Sequence, residues 1–442
     1  RKNATMPSPE ATDPVIPITR HDPFAALRFR DFRLLMIGTF VTVIAEQMLN
    51  VALGWELYER TRSPLMLGLV GLVQVLPVLA LALIAGHTAD RFDRKRIVVL
   101  TMLTIALCTL GLAVLSYSSG PLLFIYGCLL IIGVARAFQS PAVSSLTAQV
   151  VPAEYFSNAA TWESSAWQAS SIIGPALGGF LIAVQKQATG VYALVATLIL
   201  AVGLMLGLLR PRPVAPSEEE LSLDSLLAGA RFIWNTKIIL ASITLDMFAV
   251  LLGGATALLP VFARDILLVG AEGLGWLRAA PAVGATLAGL SLAFLPPFRH
   301  AGRTLLLVVA GFGLATIVFG LSRSFALSLL MLALLGALDN ISVVIRSTLL
   351  LTRTPDSMRG RVNAVHFVFI GISNELGAFE SGVAAALFGT IGAVVGGGIG
   401  TILVVGAVAL LWPEVRRLGR LNDFEEPPAE EMQPRENPLY TE

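Results

Sequence analysis

Runs of Leu, Ile, Val, Ala, Phe and Gly, each about twenty residues long, recur along most of the chain, with short polar segments between them. An α-helix of about 20 apolar residues crosses the hydrocarbon layer of a bilayer, so each run reads as a spanning helix. The pattern predicts spans 1 to 6 at 33–57, 65–88, 97–117, 121–148, 161–184 and 190–209. It predicts spans 7 to 12 at 238–262, 273–296, 303–321, 325–351, 361–388 and 391–411.

Between the sixth and seventh runs the hydropathy breaks. Pro211, Pro213 and Pro216 stand beside Glu218, Glu219 and Glu220, a polar segment that reads as a linker between two halves. The chain therefore divides into a tail (1–31), a six-helix bundle (32–209), a linker (210–236), a second six-helix bundle (237–412) and an acidic, proline-rich tail (413–442) expected to be disordered. Direct repetition is faint. The basic loop Asp90–Arg96 has a weak counterpart at Phe298–Arg303. Leu221, Leu223, Leu226, Leu227 and Ile233 recur among polar residues, which predicts an amphipathic helix on the membrane surface over Leu221–Trp234.

Composition strengthens this picture. Of the 442 residues 55% are hydrophobic and 14% charged, with a mean hydropathy of +0.76. A water-soluble domain carries about 25% charge, so this chain must face lipid. A net charge of +1, with no basic domain, argues against nucleic acid as a partner. Cys108 and Cys128 lie in apolar runs and read as small core residues. There is no G-x-x-x-x-G-K-[ST] loop, paired-histidine metal motif or G-x-S-x-G. The expectation is no enzyme, no cofactor and no metal, with any work drawn from an ion or substrate gradient. The first thirty residues are polar and proline-rich, with no cleavable signal evident. Arg91, Arg94, Lys95, Arg96, Arg210, Arg212, Arg231, Lys237, Arg299, Arg303, Arg353, Arg359 and Arg361 fall in one set of loops, and few basic residues fall in the other. The richer side is predicted to be cytoplasmic, with both tails on it.

Ionisable residues inside spans cost about 2.5–3.5 kcal/mol on insertion scales, so they mark interior pathways or pairs. Span 1 carries Glu46 and Asn50 on one face; span 4 carries Arg136 and Gln139; span 7 carries Asp246. Span 10 carries Asp339 and Arg346, and span 11 carries His366, Glu375 and Glu380. Arg136 is expected to pair with Glu46 or Asp246, and Asp339 with Arg346, either as a translocation site or as structural ion pairs. On span 5, Glu163 reads as interfacial or pathway-lining, and Trp162 and Trp167 as packing or pathway aromatics.

Three motifs carry a family resemblance. Gly86-His87-Thr88-Ala89-Asp90-Arg91-Phe92-Asp93-Arg94-Lys95-Arg96 resembles the G-x-x-x-D-R-x-G-R-[KR] loop of the major facilitator superfamily, with Asp93 where glycine is usual. Gly174-Pro175-Ala176-Leu177-Gly178-Gly179 resembles its antiporter motif on span 5. Arg136-Ala137-Phe138-Gln139-Ser140 resembles R-x-x-Q-G on span 4, with Ser140 for glycine. Asp31-Phe32-Arg33-Leu34-Leu35 and Thr354–Asn363 are similar to the enterobactin exporter and macrolide efflux branch. The resemblance implies twelve spans in two bundles, spans 1, 4, 7 and 10 around a central cavity, and a bacterial inner membrane. It implies a gate in which Asp90 meets span 11 when the protein faces outward, with Arg94 and Lys95 adding inter-helix and lipid-phosphate contacts. Gly174, Pro175, Gly178 and Gly179 would form a compliant seam.

The expected function is a monomeric secondary exporter that exchanges protons for an amphipathic small molecule, siderophore-like or drug-like. A flippase for lysolipids and a non-transporting membrane sensor remain open beside it. The predicted pathway is Glu46, Asn50, Arg136, Gln139, Trp167, Asp246, Asp339, Arg346 and Glu375.

Overall fold

The computed structural model describes residues 22–209, 223–296 and 298–419. Among these residues there is no strand, and twelve helices are long and apolar enough to cross a membrane. They are Arg30–Thr61, Pro64–Arg91, Arg94–Tyr117, Leu122–Val150, Phe156–Gln185 and Thr189–Leu206 as spans 1 to 6, and the stretch Lys237–Ile266 as span 7. Spans 8 to 12 are Gly270–Phe294, Ala301–Leu321, Phe325–Arg353, Asp356–Phe388 and Thr390–Leu411. Most helices extend past the apolar runs, because helical hydrogen bonding continues into flanking polar residues beyond the hydrocarbon-length core.

Asp93 shows why glycine is dispensable in the loop after span 2. Its carboxylate accepts hydrogen bonds from the backbone N–H groups of Lys95 at 3.0 Å and Arg96 at 3.4 Å, capping span 3. Arg94 donates back to the Ala89 carbonyl at 3.2 Å, and Lys95 to the Leu209 carbonyl at 2.8 Å. The loop thus ties spans 2, 3 and 6 together. The side chain of Asp90 lies outside the described residues, as do 210–222 of the expected linker, 1–21 of the first expected tail and 420–442 of the second. The start of that second tail is not disordered, because Pro413–Arg417 is a short helix that buries Val415, and Leu418 follows it into the packing. The described part of the linker is the helix Leu223–Asn235, whose Gly229 lies against the Arg361 carbonyl of span 11.

The same packing scheme occurs twice. In the first bundle span 1 packs on 5 and 6, span 2 on 4, and span 3 on 4 and 6. In the second, span 7 packs on 11 and 12, span 8 on 10, and span 9 on 10 and 12. Adding six to each number in the first set produces the second. The bundles meet along two seams with the same relation, span 5 on span 8 and span 2 on span 11. Duplication that is faint in residue identity is plain in packing.

Span 7 departs from the continuous helix expected over 238–262. Its regular part ends at Leu252, and Gly253 and Gly254 interrupt it. It then continues as a 3-10 turn (Ala255–Leu258), one α-turn with Pro260 and a π-turn (Phe262–Ile266). Close approach is the physical reason for the break. Gly254 lies against the Gly377 carbonyl and Ser381 of span 11, and Gly377 faces the Val250 and Leu251 carbonyls in return. Irregular backbone of this kind survives at membrane depth where protein or a cavity surrounds it.

Candidate functional site: a chamber closed at one end

With twelve spans among the described residues, residues 22 and 419 lie on one face, here called the terminal face; the Ala301 N–H meets the Gly419 carbonyl there at 3.0 Å. The other is the far face. A chamber of about 700 Å³ opens within the first bundle. Glu46, Arg136, Gln139 and Trp167 line it, and Leu35, Thr147 and Ala160 carry its wall toward the terminal face. Glu163 belongs to the chamber too, accepting a hydrogen bond from Thr147 at 3.1 Å. Trp162 does not; its indole N–H donates to the Pro23 carbonyl at 2.9 Å and its ring packs against Phe24.

A second cavity of about 240 Å³ lies between the bundles. The first bundle contributes Asn50, Gly71, Gln74 and Arg136; the second contributes Thr256 and Ala257 of the broken span 7, Arg278, Asn374 and Glu375. Arg136 borders both spaces. One of its nitrogens bonds the Gln74 side-chain oxygen at 2.8 Å, and another lies 3.6 Å from Glu46. Glu375 reaches across to span 2, where a Cβ on Gly71 would stand 2.9 Å from its carboxylate.

Asp246, the alternative partner for Arg136, lies elsewhere. It pairs with Arg346, which also stands 4.0 Å from Asp339 and bonds the Ser342 carbonyl at 3.3 Å. His366 of span 11 is within electrostatic reach of Arg346. Asp246 and Asp339 border a small void of about 20 Å³ inside the second bundle, apart from the central cavity. Spans 2, 8 and 11 thus line the central cavity beside spans 1, 4 and 7, whereas the charges of span 10 belong to the second bundle's own cluster. Each bundle repeats one device, a carboxylate on its first helix facing an arginine on its fourth: Glu46 with Arg136, Asp246 with Arg346.

The far face is shut. At the end of span 1, Tyr58 donates to Asp265, Arg62 pairs with Asp265 at 3.3 Å, and Glu59 pairs with Arg264, all across the bundle boundary. Arg264 also lies over the Trp55 ring, 5.8 Å from its centroid. Below this cluster the seams are glycine contacts. A Cβ on Gly179 would stand 2.5 Å from the Ala271 carbonyl and 2.8 Å from the Gly275 Cα. A Cβ on Gly68 would stand 3.0 Å from the Gly382 Cα across the other seam. Within the antiporter-type motif Gly174 and Gly178 serve the first bundle, against Ile44 and Met48 of span 1, whereas Gly179 and the Pro175 carbonyl meet Gly275 of the second.

Sequence reasoning missed Gln74, Arg278 and the Tyr58–Glu59–Arg62–Arg264–Asp265 cluster. Arg278 carried a usable signal: an arginine eight residues inside an apolar span. The far-face residues lie at span ends, where charges are ordinary, so only their meeting across the boundary distinguishes them.

A profile described as "Transmembrane secretion effector" matches residues 21–441. The enterobactin exporter EntS of Shigella boydii serotype 4 (strain Sb227) is 27% identical over 387 residues, covering 87% of this chain and 92% of that one. The EntS of Citrobacter koseri is 28% identical over 398 residues, with coverages of 90% and 94%. Among solved structures, a bacterial homolog of the human lysosomal transporter Spinster, inward-facing and occupied, superposes with a TM-score of 0.71 at 15% identity, covering 90% of this chain and 99% of that one. A variant of the peptide transporter POT superposes with a TM-score of 0.67 at 12% identity, with coverages of 88% and 96%. With the profile running over nearly its full length, the chain belongs to the transmembrane secretion effector family, and it is a multi-pass secondary transporter of the major facilitator type rather than an enzyme.

Proposed function

We propose that this transporter exports an amphipathic small molecule from the bacterial cytoplasm in exchange for protons, as a monomer working by alternating access. Both termini then lie in the cytoplasm of an inner-membrane protein, residues 210–236 form a cytoplasmic linker, and the described conformation faces inward. The bundles 32–209 and 237–412 would rock against each other about the central cavity. Enterobactin-exporting relatives support a bulky, partly apolar cargo, and so does a chamber that sets Trp167, Leu35, Val43 and Met102 beside Glu163 and Arg136.

One observation carries the coupling: the Glu46–Arg136 pair stands where the chamber meets the central cavity. Protonation of Glu46 removes the charge that holds Arg136 and frees the guanidinium for cargo. Cargo and proton then compete for one site, as exchange in opposite directions requires. In the gating loop, Asp90 is assigned to the contact with span 11 that closes the cytoplasmic side when the molecule faces outward, with Gly86, Arg91, Arg94 and Lys95 setting the loop's shape and its contact with lipid headgroups.

The test is flux in proteoliposomes with a catecholate siderophore and a hydrophobic cation as candidate cargoes. A pH gradient should drive uphill movement of one of them, and a protonophore should abolish it. Glu46→Gln should lose gradient-driven transport and keep downhill exchange. Uphill transport by Glu46→Gln at the wild-type rate would remove Glu46 from the coupling, and gradient-independent flux in the wild type would defeat proton exchange altogether.

A further inference from the structure

Arg278 is the charged group of the central cavity that the pathway above does not use. It sits eight residues into span 8, and its guanidinium faces Gly54 of span 1 across the bundle boundary, where a Cβ would stand 3.2 Å from a terminal nitrogen. No hydrogen bond or ion pair within 4.0 Å engages it among the described residues, and its Nε is buried without a partner. Glu375 borders the same cavity but forms no ion pair within 4.0 Å with either Arg278 or Arg136. A buried guanidinium without a counter-charge is costly in a membrane interior. Arginine also offers a planar fork of donors suited to carboxylate or phosphate oxygens.

Arg136 of the first bundle lines the same 240 Å³ space, and Asn50, Gln74 and Asn374 line it too as neutral hydrogen-bonding groups. Arg136 has Glu46 and Gln74 for partners; Arg278 has none among the described residues. The adjoining chamber supplies apolar wall from Leu35, Val43, Met102, Val143 and Trp167. The spaces differ in size and chemistry and meet at Arg136. We infer that the central cavity is a binding site for the anionic, oxygen-rich head of the cargo, clamped between Arg278 of the second bundle and Arg136 of the first, with the cargo's apolar body in the chamber. This rests on the export reading and deepens it, because it assigns the cargo a charge and an orientation. A head held by one arginine from each bundle would also draw the bundles together, coupling occupancy to their rearrangement.

The test uses the detergent-purified full chain and three probes sharing one apolar body: naphthalene-1-acetate, 2-(1-naphthyl)ethanol and 1-naphthylmethylamine. Radiolabelled naphthalene-1-acetate is bound, and the other two compete. Charge-assisted hydrogen bonds to guanidinium justify an advantage for the anion of about tenfold or more over the alcohol, with the amine weaker still. Arg278→Gln should bring anion and alcohol to within about twofold of one another, Arg278→Lys should keep part of the preference, and Trp167→Ala should weaken anion and alcohol alike. Equal competition by all three in the wild type, no binding of the anion, or full preference in Arg278→Gln would overturn the assignment. Failure here is separable from failure of the export reading. Anion binding without gradient-driven flux leaves the site and removes proton-coupled export. Driven flux indifferent to head charge leaves export and removes the site.

Discussion

At the scale of single residues, the far-face pairs are the first place where energy can be matched to conformation. Arg62, Asp265, Glu59 and Arg264 are a quarter to a half exposed, so each pair is worth at most about 1 kcal/mol. That is small for stability but large for a balance between two conformations. Removing Asp265 as Asp265→Asn strips charge from three contacts, to Tyr58, Arg62 and Arg264. It should move the inward–outward ratio by about fivefold, the equivalent of 1 kcal/mol, toward the outward-facing form. Spin-label distances between the far ends of spans 1 and 7 read this directly, and an unchanged distance distribution would remove the cluster from the gate. Arg346 is a different case. It is only 3% exposed, and a buried charge stripped of its partner is expensive. Asp246→Asn should therefore cost about 3 kcal/mol, moderated by Asp339 nearby, and lower the thermal midpoint; a compensating apolar replacement, Arg346→Met, in the same chain should recover much of the loss. If Asp246→Asn instead melts like the wild type and loses only driven transport, Asp246 is a coupling group and not a structural one.

At the scale of elements, spans 5 and 8 are held at glycine-to-glycine distance, and the seam opens only as a unit. A side chain at Gly179 meets backbone, the Ala271 carbonyl and the Gly275 Cα, neither of which can rotate away. Overpacking costs about 1–3 kcal/mol, and here that cost falls on the far-face-closed conformation alone, because the contact exists only when the bundles touch. Gly179→Val should insert and fold, yet raise the far-face accessibility of a cysteine placed at Asn50, measured by labelling with a membrane-impermeant maleimide. Gly178→Val, which meets Met48 of span 1 within the same bundle, should destabilise without opening the far face. Identical labelling of the two variants would show that the seam does not gate.

At the scale of the whole molecule, the repeat relation is the most informative feature. Each bundle has an irregular or glycine-rich helix at the boundary and an acid–arginine pair between its first and fourth helices, yet the pairs differ in setting. Glu46–Arg136 opens onto both cavities, whereas Asp246–Arg346 is enclosed beside a void of only about 20 Å³. Such asymmetry suits a transporter in which the first bundle holds the cargo's body and the second contributes Arg278 to its head and a wall that moves.

The chain's own pattern determined the helix count and the six-plus-six division, because lipid imposes a length and an apolar composition that each span must meet independently of its neighbours. It also marked Glu46, Arg136, Asp246, Asp339, Arg346 and Glu375, since a charge in an apolar run is conspicuous wherever it lies. Which charges meet was decided only by tertiary structure. Glu46 and Asp246 look alike in sequence, and helix packing alone assigns one to Arg136 and the other to Arg346. The same holds for Arg278, legible as an oddity but interpretable only once Gly54 and the central cavity are seen in front of it. It holds again for the far-face cluster and for the break after Leu252, which depend on contacts between residues about two hundred and one hundred and twenty positions apart. Spans are local solutions to a solvent problem, and a pathway is a relation between spans that no single one of them encodes.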